Sequence, residues 1–259
     1  TMEVLFGKPL TVAIKKGNDL GQFPSPLSLW VDSIGAADAQ WQAYEHLTPL
    51  NETVFLQLGG SGSHAVKALL AGSAVAGLLS PSLGEIRLGQ AMAARAGVTE
   101  RFFGIVGIGE AIPLSKASVD RVYGGGCLHH TNIDRSLPEL ARITTSAGRL
   151  SFVDPRMNLI YKLWGKLFGH IRFCGDEENT EDHPIDEDSL NRLGSRHFGC
   201  YSIYKSGGPI RYLLIFLNRT IGFSPKVTFT AGLFRSERNI LDFLGLGNLF
   251  GVITLLLKS

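Results

Sequence analysis

The sequence is short of cysteine, of clustered charge and of long apolar runs. Its three cysteines, Cys127, Cys174 and Cys200, are an odd number without paired metal-ligand spacing, which excludes a disulfide framework, implies no metal site and points to a reducing compartment. A formal net charge of only +2, with the basic residues spread along the chain, leaves no footprint for a nucleic-acid backbone. The leading segment TMEVLFGKPLTVAIKKGNDLG carries its lysines after its apolar stretch, and no apolar run is long enough to cross a bilayer. The expectation is a cytoplasmic protein with neither signal peptide nor membrane span.

What is present is enough for a sizeable core: 259 residues, 44% hydrophobic and 19% charged. Apolar runs at VFLQL (54–58), AVAGLL (74–79), FFGIVGI (102–108), VDRVYGG (119–125) and GRLSFVDP (148–155) alternate with helix-like intervals, the rhythm of a parallel sheet with crossover helices. Residues 1–50 read as a lead-in or cap, broken by the prolines of FPSPLSLW (23–30) and continuing into a helix over 33–47. Residues 51–259 read as the main domain, with 156–235 contributing a cover on the substrate side. Within that cover, NLIYKLWGKLFGHIRF (158–173) has amphipathic helical spacing, the charge run at 176–188 reads as a solvated loop, and FGCYSIYKSGGPIRYLLIFL (198–217) offers a strand, a glycine turn and an apolar helix. LFGVITLLLKS (249–259) reads as the last strand of the sheet.

The stretch VFLQLGGSGSHAVKALLAG (54–72) runs a strand through a glycine-rich turn into a helix, the construction that lets a backbone approach a nucleotide-type ligand. Further along come LLSP (78–81), VGIGEAIPL (106–114), SVDRVYGGGCLHH (118–130) and LPELARITTSAGRLSFVDP (137–155). In this order the blocks resemble the class I S-adenosylmethionine-dependent methyltransferases that act on small molecules, with Ser146-Ala147-Gly148 in place of the usual Pro-Gly-Gly. The resemblance covers the chain from about Val54 onward. It implies a three-layer α/β sandwich around a mostly parallel seven-stranded sheet with an antiparallel last strand, S-adenosylmethionine as cofactor, and a small, fairly apolar substrate.

The same resemblance exposes a further lack. In the family an acid ends the first strand ahead of the glycines, a second ends the next strand and accepts from the ribose hydroxyls, and a third follows the third strand and accepts from the adenine amino group. Here those places read Gln57, Leu78 and Ile108, with Gly59, Gly60, Gly62, Gly109 and Glu110 as the remaining cofactor-side candidates. Two glycine registers fit the turn, one beginning at Gly59 and one that keeps Gly60 and Gly62 and puts His64 third. Each lost charge-assisted contact is worth roughly 1.5–3 kcal/mol, so the motif implies weakened cofactor binding.

For proton transfer the candidates are His129 and His130, at the end of the fourth strand, where ligands of open α/β sheets bind. Asp120 sits earlier on that strand and Asp154 beyond the next, neither beside the histidines in sequence. Three functions follow from these observations: a divergent methyltransferase, a repurposed fold carrying out cyclisation or elimination with a histidine base, and a non-catalytic relative that binds a protein partner or a second copy through its apolar C-terminal half. The residues alone leave all three open.

Overall fold

A computed structural model describes residues 37–155, 185–223, 227–247 and 252–259. The prolines of 23–30, the first residues of the expected helix over 33–47, the amphipathic stretch 158–173, most of the charge run and Cys174 lie outside the described residues.

Seven strands form one sheet in the order β3-β2-β1-β4-β5-β7-β6. They are β1 (Val54–Leu58), β2 (Val75–Ser80), β3 (Phe102–Val106), β4 (Val119–Gly125), β5 (Thr144–Pro155), β6 (Cys200–Ser206) and β7 (Val252–Lys258). The first five are parallel to one another, and β7 lies antiparallel between β5 and β6. As the sequence implied, β1 is interior and the last strand alone reverses direction. The helices are α1 (Ala37–Leu47), α2 (Ser63–Leu70), α3 (Leu83–Ala96), α4 (Ile133–Ile143), α5 (Glu187–His197), α6 (Pro209–Ile221) and α7 (Val227–Phe243).

Strand alternation sorts the core into two layers. Phe55, Ala76 and Tyr123 face one side, where they pack with Tyr44, Leu47, Val66, Leu69, Ala93 and Ala231 of α1, α2, α3 and α7. Leu56, Val122, Leu150, Phe152 and Leu255 face the other, against Leu137, Leu140 and Ile143 of α4 and Leu190 and Leu193 of α5. Each such fully buried aliphatic or aromatic side chain contributes about 1.5–3 kcal/mol.

Polar side chains fix what the core alone leaves loose. The carbonyls at and just past the end of α1 are held by buried Arg121 and half-buried Arg149: Arg121 Nε donates to Leu47 O at 2.8 Å and Arg149 donates to His46 O at 3.1 Å and to Thr48 O at 2.6 Å. A cation at a helix C-terminus also meets the favourable end of the helix dipole. Asp120 accepts from Val54 N at 2.9 Å and from the Thr145 hydroxyl at 2.9 Å, tying the starts of β1, β4 and β5 together, so it lies at the edge away from any ligand. The phrase ELAR (139–142) has a structural task as well. Glu139 accepts from Ile112 N at 3.0 Å while Arg142 donates to Ile112 O and Leu114 O, each at 2.8 Å, which pins the loop that follows β3.

Candidate functional site

The C-terminal ends of β1, β2, β3, β4 and β5 share one edge of the sheet, and the loops leaving them gather most of the candidate residues. At the end of β1 the chain turns through Gly59, Gly60 and Gly62, with φ of 64°, 75° and 82°, a region that L side chains rarely occupy. Gly62 is confined further: a Cβ there would stand 2.8 Å from Gly89 Cα, because the start of α2 presses against α3. The structure therefore places all three glycines in the turn, uses Ser61 between them and begins the helix at Ser63.

Gln57 is 3% exposed and spends both ends of its amide on this turn. Its Nε2 donates to Gly59 O at 2.8 Å, and its Oε1 accepts from Ala65 N at 2.9 Å, a first-turn amide of α2 that Gly62, lacking a side chain, cannot cap. A carboxylate could supply only the second bond, since it has no proton to donate. The acid-to-amide change thus braces the turn from below.

Leu78 is fully buried, with its Cδ2 against Gly62 and Gly89, and lies two residues before the end of β2. The residue that ends the strand at the crevice is Ser80. Its hydroxyl donates to Glu85 Oε2 and accepts from Ser82 N at 3.0 Å, so a half-buried carboxylate from the first turn of α3 stands at the end of β2. The N-cap at Ser82, whose hydroxyl accepts from Glu85 N, fixes where α3 begins.

Past the end of β3, Ile108 is 50% exposed, in a tight turn closed by a bridge to Ala111, with Gly109 half-buried against Thr131 and Ser136. Glu110 Oε1 accepts from Asn132 N at 2.7 Å, which ties this turn to the start of α4. Gly125, which ends β4, and Gly126 are exposed and lead into a short turn of helix, Leu128–His130.

In that turn the two histidines have different surroundings. His130 is exposed and His129 is buried, their rings 3.8 Å apart between centroids. His129 Nδ1 lies 2.9 Å from Asp154 Oδ1, which also accepts from the His129 backbone N at 3.2 Å. Because the carboxylate can only accept, Nδ1 carries the proton and Nε2 of the neutral ring is left as the basic nitrogen. Asp154, 2% exposed, has no hydrogen-bond partner for its second oxygen Oδ2 among the described residues. The sheet puts Asp154 beside the histidines, since β5 is the neighbour of β4 and both strands end at the same edge. Cys127, just before them, is held as a neutral thiol: burial pushes its pKa well up and the charge of Asp154 adds to the effect. Among the described residues no group of three or more His, Cys, Asp or Glu is arranged to hold a metal ion.

One further cluster was hidden in the sequence. The Tyr44 hydroxyl of α1 is hydrogen-bonded to His64 Nδ1 at the start of α2, and Tyr123 of β4 stacks near both, 5.2 Å from the Tyr44 ring and 4.5 Å from His64. This contact joins the end of the glycine turn to α1. Only the spacing of aromatics on three separate elements could have signalled it, and no single motif contains them.

Comparison with solved structures agrees with this architecture. A geranyl diphosphate methyltransferase in complex with S-adenosylmethionine superposes with a TM-score of 0.61 at 15% identity, over 86% of this chain and 84% of that one. The geranyl diphosphate C-methyltransferase from Streptomyces coelicolor A3(2), crystallised with Mg2+, geranyl diphosphate and S-adenosyl-L-homocysteine, gives 0.61 at 14% identity over 86% and 77%. A protein from Galdieria sulphuraria, described as a sarcosine dimethylglycine methyltransferase, gives 0.58 at 14% over 97% of each chain. No family model and no curated protein matches the sequence. The chain has the class I methyltransferase fold.

Proposed function

We propose that this protein is a divergent small-molecule methyltransferase with weakened S-adenosylmethionine binding, working in the cytoplasm on a fairly apolar acceptor in small-molecule biosynthesis. The observation that carries the reading is the meeting, on one sheet edge, of a glycine turn at the head of β1 with a His129–Asp154 pair at the ends of β4 and β5. Gly59, Gly60 and the start of α2 are suited to the amino-acid part of the cofactor, Glu85 on Ser80 to the ribose hydroxyls, and Ile108 with Gly109 to the adenine face. When bound, S-adenosylmethionine supplies an electrophilic methyl group at this edge. His129 removes the proton from the acceptor hydroxyl or amine. Asp154 holds the Nδ1–H tautomer and stabilises the imidazolium that forms, and exposed His130 shapes the approach to it.

Weak binding follows from the acids that are missing. Glu85 supplies one of them from a helix, but Gln57 is committed to the turn and Glu110 to Asn132. Residues 1–50 and 156–235 cover the crevice and shape the acceptor pocket in this reading. The experiment is transfer of labelled methyl from S-adenosylmethionine to a panel of apolar alcohols and amines, with His129→Ala as control. Labelled product that disappears in the variant supports the reading. If no acceptor is methylated yet one is consumed in a His129-dependent way, the pair instead drives an elimination or cyclisation, a second reading that the His129–Asp154 geometry serves equally well.

A further inference from the structure

At the sheet edge opposite β3, an open cavity of about 500 Å³ lies between α1, β6 and α7, a size that suits a small molecule. Its walls follow from helical spacing. Asp38 and Gln42 stand one turn apart on α1, and Arg235, Arg238 and Asp242 follow at i, i+3 and i+7 on one face of α7, while β6 adds Ile203 and Tyr204. None of the lining residues belongs to the loops that leave β1 to β5, so this cavity is separate from the histidine crevice.

Two acceptors in the α1 wall are buried with nothing to accept from. Asp38 is 2% exposed and its Oδ1 has no hydrogen-bond partner among the described residues, and the same holds for Gln42 Oε1. Such orphaned groups are rare in folded proteins. Burial raises the Asp38 carboxyl pKa, a rise that the Ala39 amide and the Ser206 hydroxyl only moderate, so this acid costs stability where it stands. A residue kept against stability points to function. The bases of the cavity differ in what they are committed to. Arg238 donates to both carboxylate oxygens of Asp242 and to Gly247 O at 2.8 Å, and Lys205 pairs with Glu187 at 3.0 Å. Exposed Arg235 instead lies over the Trp41 ring, 5.5 Å from its centroid, which uses the flat face of the guanidinium and leaves the N–H groups on its rim to donate.

We propose that this cavity binds a free α-amino acid with an apolar or aromatic side chain, its ammonium on Asp38 Oδ1 and Gln42 Oε1, its carboxylate on Arg235, and its side chain against Ile203 and Tyr204. An ammonium carries three N–H donors and no acceptor, which is what two orphaned acceptors call for. A carboxylate matches the planar donor fork of a guanidinium. Other small ligands fit less well. A simple anion meets the Asp38 carboxylate at the buried end. A metal ion lacks ligands, since Asp242 is committed to Arg238 and no group of three or more His, Cys, Asp or Glu among the described residues is arranged to hold one. The site stands whether or not the crevice transfers methyl groups.

The test is calorimetric titration of L-phenylalanine and of L-leucine into the full chain without S-adenosylmethionine. Two analogues serve as controls: 3-phenylpropionate, which lacks the ammonium, and phenethylamine, which lacks the carboxylate. Expected are saturable binding of one or both amino acids below about 1 mM, and a loss of roughly tenfold or more for each analogue. Asp38→Asn and Arg235→Met should each weaken the amino acid by a similar factor. Circular dichroism and the unfolding midpoint check that both variants fold, and Asp38→Asn should bind less while unfolding at a higher midpoint, a combination that a purely structural aspartate does not give. The proposal is overturned if neither amino acid saturates the chain, if either analogue binds as well as L-phenylalanine, or if either variant keeps the parent's affinity.

Discussion

Asp154 Oδ1 receives both the Nδ1–H and the backbone N–H of His129, at 2.9 and 3.2 Å, so one buried oxygen sets the ring's position and its tautomer. This relationship converts a histidine in a strand-end turn into a group with a single defined basic nitrogen. It also assigns roles: His129 is the candidate base, and Asp154 is a positioning residue.

Replacing either partner should separate those roles. His129→Ala should lower turnover by about 10²–10⁴ with little change in the unfolding midpoint. Asp154→Asn should lower turnover too, because Asp154 holds the His129 ring and faces the positive charge that the ring gains on taking a proton. Full turnover in His129→Ala would remove the base from the account.

Gln57→Glu, which restores the family's acid, should destabilise this protein. It would place a carboxylate oxygen against Gly59 O where an amide N–H now donates, at a cost of roughly 1–3 kcal/mol. Chemical denaturation at neutral pH measures it. A variant as stable as the parent would show that the turn does not depend on the amide.

Leu78→Asp should fail as a repair of the ribose contact. The side chain is fully buried between Gly62 and Gly89, so the variant puts an unpaired carboxylate into the core, at a cost of several kcal/mol or with its pKa raised to neutrality. A stable Leu78→Asp protein with tightened S-adenosylmethionine affinity would contradict the assignment of the strand end to Ser80.

Stability should also depend on pH through two buried acids of α1 and α7. Burial raises the carboxyl pKa of Asp38, and that of Glu237, where the nearby charge of Asp38 adds a smaller push. A folded-state pKa above the unfolded value means that the contribution is fully present below the unfolded carboxylate range and is lost as pH rises through the raised value. Asp38→Asn should therefore raise the unfolding midpoint at pH 7, by on the order of 1 kcal/mol, and flatten the decline between mildly acidic and neutral pH. An unchanged slope would show that Asp38 ionises freely in the folded protein.

These results show which parts of the molecule the chain announces. The strands were legible because alternation is written locally: Phe55 and Leu56 face opposite layers as adjacent residues must. The histidine turn was legible because it follows a strand end. The partner of His129 was not, since Asp154 becomes its neighbour only when β5 lies beside β4. That Glu85 stands at the end of β2 depends on the Ser80 hydroxyl and the Ser82 cap, contacts that the letters SPSLGE do not specify. Gln57 read as a lost ligand contact because its second bond, to Gly59 O, depends on a backbone conformation that the letters GGSG do not specify.

The most direct measurement of the central claim is calorimetric titration of S-adenosylhomocysteine into the unaltered chain and into Glu85→Gln. The account predicts saturable but weak binding to the parent, weaker by about 10²–10⁴ than a site with all three acids, and a further loss of roughly tenfold or more in the variant. No heat with the parent, or tight binding that Glu85→Gln leaves untouched, would contradict it.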